Sequence, residues 1–306
     1  MKKLFYSLSL LLILCLFSCT YDYHKFFFRG PHVDVRAKEI KELSAPVTTD
    51  VQINFLVVTD LHFGGKKQRP EELFFKSIKD KKIDFILFLG DLVDTGFEDC
   101  YLESETFVKK LKSKLLQPNI PFYILLGNHD LYQDGYDYWK ELSFSTNKDA
   151  TYYYFKTPIN SDKTEFRSWY FLDTASGILG NNQLNNFKEL VEKDKNPKFV
   201  LTHYPIYTDM TMIDFFRLSD TRERALLIEL CDKNNVDLVF SGHWHSGGRY
   251  DYGNFTEFCF KSFCENRDNE CLWTYVTLNE TTQSLQFEDY LVKNGELEVS
   301  TVNYRF

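Results

Sequence analysis

The sequence predicts an α/β domain whose strands are buried on both faces, and three observations carry that expectation. Apolar runs of strand length recur at Ile53 to Thr59, Asp84 to Leu89, Pro121 to Leu126, Trp169 to Leu172, Lys198 to Thr202 and Val236 to Ser241. Several are continuously apolar, as strands covered on both sides must be. Segments with helical character separate them, at Glu71 to Lys81, Leu102 to Leu116, Asn182 to Lys193 and Thr221 to Asn234, which gives a βαβ rhythm. Most of these runs also end in a short polar block, and open α/β sheets place their sites at the carboxyl ends of strands.

Taken in order, Met1-Lys2-Lys3 followed by the apolar run Leu4 to Phe17 has the charged start and short apolar stretch of an export signal. The run is too short to span a bilayer comfortably. It closes on Leu16-Phe17-Ser18-Cys19, which resembles a bacterial lipoprotein cleavage site, although Phe17 is bulkier than usual there. Residues 1–18 are therefore expected to be a lipoprotein signal peptide, and lipidated Cys19 is expected to anchor an exported protein to a membrane of the cell envelope. Residues 19–50 mix charges around Gly30-Pro31 without periodicity and read as a tether with a loosely docked leading segment, in which His24 and His32 face solvent. Residues 51–306 form the domain proper, and its tail from Leu272 to Val302 reads as meandering strands with an Asn294-Gly295 turn.

Composition narrows the function. A chain of 306 residues without a long low-complexity interruption supports one large domain. The net charge of -8 argues against a broad grip on duplex nucleic acid, which depends on Lys and Arg meeting phosphate. A monomer is expected. Aromatic residues make up 17% of the chain, which points first to a heavily packed core. Beyond the leader, Cys100, Cys231, Cys259, Cys264 and Cys271 remain; the close trio Cys259, Cys264 and Cys271 is the place for a bridge, and an odd count leaves at least one free thiol. No Cys-x-x-Cys unit is present, so a structural zinc ribbon is not expected.

The polar blocks hold the chemistry. Asp60-Leu61-His62, Gly90-Asp91-Leu92-Val93-Asp94, Gly127-Asn128-His129-Asp130, Thr202-His203-Tyr204-Pro205 and Gly242-His243-Trp244-His245 contain five of the seven histidines. In an extended segment residues two apart share a face, so Asp60 and His62 can share one cation. His243 and His245 repeat the spacing in a loop bounded by glycine, where the two can diverge toward different cations. Carboxylate, amide and imidazole ligands suit Fe, Mn or Zn and not the soft ions that thiolates select.

All five blocks, in this order, resemble the calcineurin-like metallophosphoesterase superfamily. The resemblance implies a four-layer α/β/β/α sandwich of two mixed sheets flanked by helices. It also implies two divalent or trivalent metal ions, one held by Asp60, His62 and His245, the other by Asn128, His203 and His243, with Asp91 bridging both. A hydroxide between such ions would attack a phosphate ester, which makes a small phosphomonoester or phosphodiester the expected substrate. By the same resemblance His129 serves the leaving oxygen, and Asp94 is the partner assigned to orient it; Asp130 is expected to support its loop. Thr95 and Asp130 stand where protein Ser/Thr phosphatases carry arginine and glutamate, and Leu92-Val93 leaves no place for the tyrosine of purple acid phosphatases. The chain is nearer to bacterial cyclic-nucleotide phosphodiesterase-like proteins, with which Tyr170 to Thr174 and Gly180 also agree. The competing reading is a surface lipoprotein that keeps the fold for binding or adhesion, using an aromatic insert from Asp130 to Phe166. A degraded binding protein usually loses a ligand, and this chain keeps all of them.

Overall fold

A computed structural model describes residues 30–46, 51–117, 119–209 and 214–306. The expected signal peptide, Cys19 and His24 lie outside the described residues. Among those described, no helix is long and apolar enough to cross a membrane.

In chain order the elements begin with α1 (Val33–Arg36), β1 (Lys41–Glu42), β2 (Gln52–Val58), α2 (Glu71–Ile78), β3 (Phe85–Phe88), α3 (Glu98–Lys114) and β4 (Phe122–Ile124). They continue with α4 (Gly135–Lys140), β5 (Tyr153–Pro158), β6 (Phe166–Phe171), α5 (Asn181–Lys193), β7 (Lys198–Leu201), α6 (Thr221–Lys233) and β8 (Val236–Ser241). Five strands close the chain: β9 (Gly248–Asp251), β10 (Thr256–Cys259), β11 (Glu270–Asn279), β12 (Ser284–Lys293) and β13 (Glu296–Arg305). One sheet has the order β13-β12-β11-β2-β3-β4 and the other β1-β5-β6-β7-β8-β10-β9. Both are mixed: β2, β3 and β4 run parallel beside the antiparallel β11–β12–β13 meander, while β6, β7, β8 and β10 run parallel between antiparallel β5 and β9.

The alternation of side chains along each strand makes the layers. From β2, Ile53, Phe55 and Val57 enter the core between the sheets, whereas Leu56 and Val58 enter a second core under α2 and α3. A third core holds the outer face of the other sheet under α1, α5 and α6, with Phe187, Leu227 and Val239 among its members. The expected α/β/β/α sandwich is thus the observed one. The aromatic richness is largely packing. Phe55 and Phe85 stack at 5.0 Å between the sheets, and Trp169 meets them edge-on at 5.4 and 5.5 Å. Within the supposed insert, Trp139, Tyr152 and Tyr153 are buried.

The predicted strands and helices are all present, with ends shifted by a few residues, and four strands were not anticipated. β1 is two exposed, charged residues with no apolar pattern to announce a strand, and β5 alternates buried and half-buried positions through Lys156 and Pro158. α3 begins at Glu98, ahead of the expected Leu102, because Phe97 at its N-cap offers no side-chain hydrogen bond to announce the start. The leading segment is tighter than expected. Val33 and Ala37 are buried, and the Arg36 guanidinium donates to Asp173 at 2.6 and 2.9 Å and to Ser176 Oγ at 2.8 Å. Such a bidentate pair holds α1 against the second sheet. His32 is exposed, as expected, and its Nδ1 accepts from Asp34 N at the start of α1. The disulfide expected within Cys259, Cys264 and Cys271 is not formed, and all five described cysteines are free.

Candidate dinuclear metal site

The five blocks follow β2, β3, β4, β7 and β8, so parallel strands from two facing sheets deliver them to one end of the sandwich. Short turns then bend the chain sharply. Asp60, His62, Asp91 and His243 all have left-handed backbones, at φ 54, 50, 51 and 62. Non-glycine residues seldom adopt this conformation, and its concentration at candidate ligands is the kind of strain that functional sites store. Two glycines are needed for close approach. A Cβ on Gly90 would lie 2.4 Å from the His203 ring, and one on Gly127 would lie 2.1 Å from Asp91 N.

At one end of the site, His62 Nε2 and His245 Nε2 lie 3.2 Å apart, with Asp60 Oδ1 at 3.9 and 3.2 Å from them and Asp91 Oδ2 3.7 Å from His62 Nε2. At the other, His203 Nε2 is 3.3 Å from Asp91 Oδ1 and 3.1 Å from Asn128 Oδ1, and His243 joins the Asp91–His203 group. Asp91 reaches both ends, through different oxygens. The seven residues expected to hold metal are therefore together.

Hydrogen bonds sort the imidazole nitrogens. A carbonyl can only accept, so the ring nitrogen facing it carries a proton, and in the neutral ring the other presents its lone pair. His203 Nδ1 donates to Leu89 O at 2.8 Å, leaving Nε2 for the site. His243 is reversed: Nε2 donates to Phe215 O at 2.8 Å, leaving Nδ1. His129 Nδ1 donates to Asp94 O at 2.7 Å, so its Nε2 faces Asp91 Oδ2 at 4.0 Å. The expected partnership of His129 with the Asp94 carboxylate is thus corrected. The Asp94 backbone carbonyl orients His129, while the carboxylate lies 3.4 Å from His62 Nδ1. The cause is the turn after β3, which points the Asp94 carbonyl at one ring and its side chain at the other.

Electrostatics show charge awaiting a partner. Burial pushes the Asp60 and Asp91 carboxyls upward, but His245 beside Asp60 and His203 and His129 beside Asp91 outweigh it and hold both below the ordinary range. Burial would lower His203, yet Asp91 raises it to about 9. His243 is pulled down to about 3 by burial and by neighbouring His203, which keeps it neutral. Asp60 Oδ1 is buried and receives no hydrogen bond. Two imidazole nitrogens 3.2 Å apart beside such an oxygen fit a shared cation, since ligand nitrogens and oxygens sit about 2.0–2.2 Å from one. Asp130 is fully buried and accepts from Gly127 N at 2.8 Å and Val93 N at 3.2 Å, so it supports the loop as expected; burial, then Asp91, raise it to about 7.

Several contributors were invisible in the sequence. Thr174 Oγ1 accepts from His203 N and Tyr204 N at 3.0 and 2.9 Å, and Thr59 Oγ1 donates to Asp60 Oδ2 at 2.8 Å. Buried Glu257 takes bonds from Ile206 N and Ser241 Oγ at 2.9 Å each, bracing the strand ends that carry His203 and His243. Phe215 acts through its carbonyl, which no side-chain pattern can reveal.

A fold with two facing mixed sheets and a two-ended ligand cluster at their strand ends defines a metal-dependent phosphoesterase. Residues 53–247 match the calcineurin-like phosphoesterase family, and the chain belongs to it. It is similar to a Colwellia psychrerythraea protein described as a probable cyclic nucleotide phosphodiesterase, with 26% identity over 199 residues, 62% of this chain and 67% of that one. In fold it is similar to GAP50, described as the anchor in the inner membrane complex of Plasmodium, at TM-score 0.61 and 16% identity, covering 83% of this chain and 90% of that one. A dimetal phosphatase from Danio rerio aligns at TM-score 0.56 and 11% identity, covering 82% of this chain and 99% of that one. At these identities the two structures speak to the fold alone.

Proposed function

We propose that the protein hydrolyses a small phosphate ester at two cations, one held by Asp60, His62, His245 and Asp91, the other by Asp91, Asn128, His203 and His243. The observation that carries this reading is the convergence of His62 Nε2, His245 Nε2 and the hydrogen-bond-free Asp60 Oδ1 beside a second cluster that shares Asp91. When bound, such cations supply Lewis-acid charge for the phosphate oxygens and an activated water as nucleophile. The chain's own residues do the rest. Leu89 O and Phe215 O fix the ring orientations of His203 and His243, so that neutral His243 offers Nδ1, while His203 Nε2, aimed at Asp91, gives up its proton as a cation enters. His129, about a quarter exposed at the edge of the site, has its Nδ1 proton committed to Asp94 O, so that in the doubly protonated ring Nε2 is the atom that gives a proton to a leaving oxygen and is left neutral. Similarity to the Colwellia protein, a probable cyclic nucleotide phosphodiesterase, supports a phosphodiester of nucleotide type as the substrate class.

Chelator-stripped protein is expected to be inactive on nitrophenyl phosphate, bis-nitrophenyl phosphate and cyclic nucleotides, and to regain turnover on at least one of them with Mn, Fe or Zn. Undiminished turnover in the stripped sample, verified by elemental analysis, would remove the proposal.

A further inference from the structure

We infer that Cys264 Sγ is a ligand to the cation at the Asp60–His62–His245 end, so that the paired cations sit in chemically unequal sites. The inference rests on the dinuclear reading above and adds sulfur to a site the sequence presents as nitrogen and oxygen only.

Cys264 is fully buried, and its backbone is tied to the first ligand block: Phe263 N donates to Thr59 O at 2.8 Å and Cys264 N to Asp60 O at 3.2 Å. This short ladder carries the thiol alongside Asp60. Sγ and one ring nitrogen each from His62 and His245 all lie within 4.8 Å of one another. Zinc–sulfur and zinc–nitrogen bonds of about 2.3 and 2.0–2.1 Å bring such atoms to roughly 3.5–4.4 Å across a shared ion, so only a small contraction is needed. Asp60 Oδ1, buried and without a hydrogen-bond donor, lies 3.2 Å from His245 Nε2 and completes the donor set independently of the thiol. The other four described cysteines are placed differently. Cys259 Sγ donates to Gly242 O at 3.2 Å, Cys271 Sγ faces Gln68 O at 4.0 Å, Cys100 lies against Thr95, and Cys231 sits in the apolar core under α6.

On coordination the S–H bond breaks, the proton leaves to solvent and the sulfur lone pair forms the new bond to the ion. A thiolate is a softer donor than carboxylate or imidazole, so this end favours Zn or Fe over Mg or Ca, while the Asn128–His203–His243 end keeps only nitrogen and oxygen.

The test uses the full chain, stripped of metal and reloaded with Co(II) or Zn(II). Expected are a near-ultraviolet sulfur-to-cobalt charge-transfer band and, by zinc X-ray absorption, a sulfur scatterer at about 2.3 Å. In Cys264→Ser both signals vanish while the visible cobalt bands persist, and one of the two cations binds roughly 10- to 100-fold more weakly. Should that variant not fold, Cys264→Ala takes its place, and the wild-type X-ray absorption needs no variant. Two cations per chain with no sulfur scatterer in the wild type would overturn the thiolate ligand and leave the dinuclear reading standing. Sulfur signals that survive in Cys264→Ser would also overturn it, whereas failure of the wild type to bind any cation would overturn both.

Discussion

Where β6 and β8 begin, the sandwich buries Arg167, whose guanidinium donates to Glu280 at 2.7 and 2.9 Å and also to Asp237, and which lies over the rings of Phe199 and Phe306. At the opposite end, where parallel strands finish, it buries Asp60 and Asp91 among five imidazoles. Both clusters bury charged side chains at their centre, Arg167 and Glu280 in one and Asp60 and Asp91 in the other, and only the first is closed. Each Glu280 oxygen has its own N–H, so the charge is compensated within the chain. In the second, a buried Asp60 oxygen lacks a donor and two imidazole nitrogens crowd to 3.2 Å beside it, so a buried polar atom stays uncompensated unless a cation enters. Buried charge alone therefore does not mark a site; buried charge without an internal counterpart does.

The sharpest way to break that contrast is to disable each cluster in turn. Arg167→Met leaves Glu280 and Asp237 without their partner and is expected to cost about 3–5 kcal/mol of stability, measured by urea denaturation, with metal content per folded chain unchanged. Asp91→Asn removes the carboxylate common to both ends and is expected to empty both positions by elemental analysis and abolish turnover. A drop in metal content for folded Arg167→Met, or two retained metals in Asp91→Asn, would dissolve the distinction between a structural and a functional cluster.

A smaller effect separates binding from chemistry inside the site. His129→Gln is expected to keep both cations, since His129 lies beside the ligands with its Nε2 4.0 Å from Asp91, yet to slow turnover by roughly 10²- to 10⁴-fold. A loss of metal equal to that of Asp91→Asn would make His129 a ligand and not a proton donor.

The same contrast explains what could be read in advance. Runs such as Phe85 to Leu89 announce buried strands because their residues enter cores on both faces, and the polar blocks announce the site because β2, β3, β4, β7 and β8 all end beside it. What escaped is what acts through the backbone or through a residue with an ordinary alternative. β1 is two charged residues with no apolar pattern, Phe215 contributes a carbonyl, and Cys264, well past His245 in the chain, reads as a candidate for a disulfide until its neighbours are known. The Arg167 cluster escaped for the related reason that Asp237 and Glu280 stand far from Arg167 in sequence and belong to no spacing pattern.

Asp94 is where the sequence reading and the structure part most usefully. Resemblance makes its carboxylate the orienting partner of His129, but the structure gives that task to the Asp94 carbonyl and places the carboxylate 3.4 Å from His62 Nδ1. Proximity to His62 holds the Asp94 carboxyl below its ordinary range against the upward pull of partial burial, so it is charged at neutral pH and favours a proton on Nδ1. That proton leaves Nε2 as the lone pair for a cation, the arrangement in which carboxylates raise the basicity of ligating imidazoles. Asp94→Asn is therefore expected to weaken metal binding at the His62 end by roughly 10- to 100-fold, read by competition with a chromogenic chelator, while turnover at saturating metal changes little because His129 still has its carbonyl. Should Asp94→Asn instead bind metal normally and slow saturated turnover as His129→Gln does, the carboxylate would act on the proton donor after all, and the assignment made from the 2.7 Å hydrogen bond and the 3.4 Å approach would be wrong.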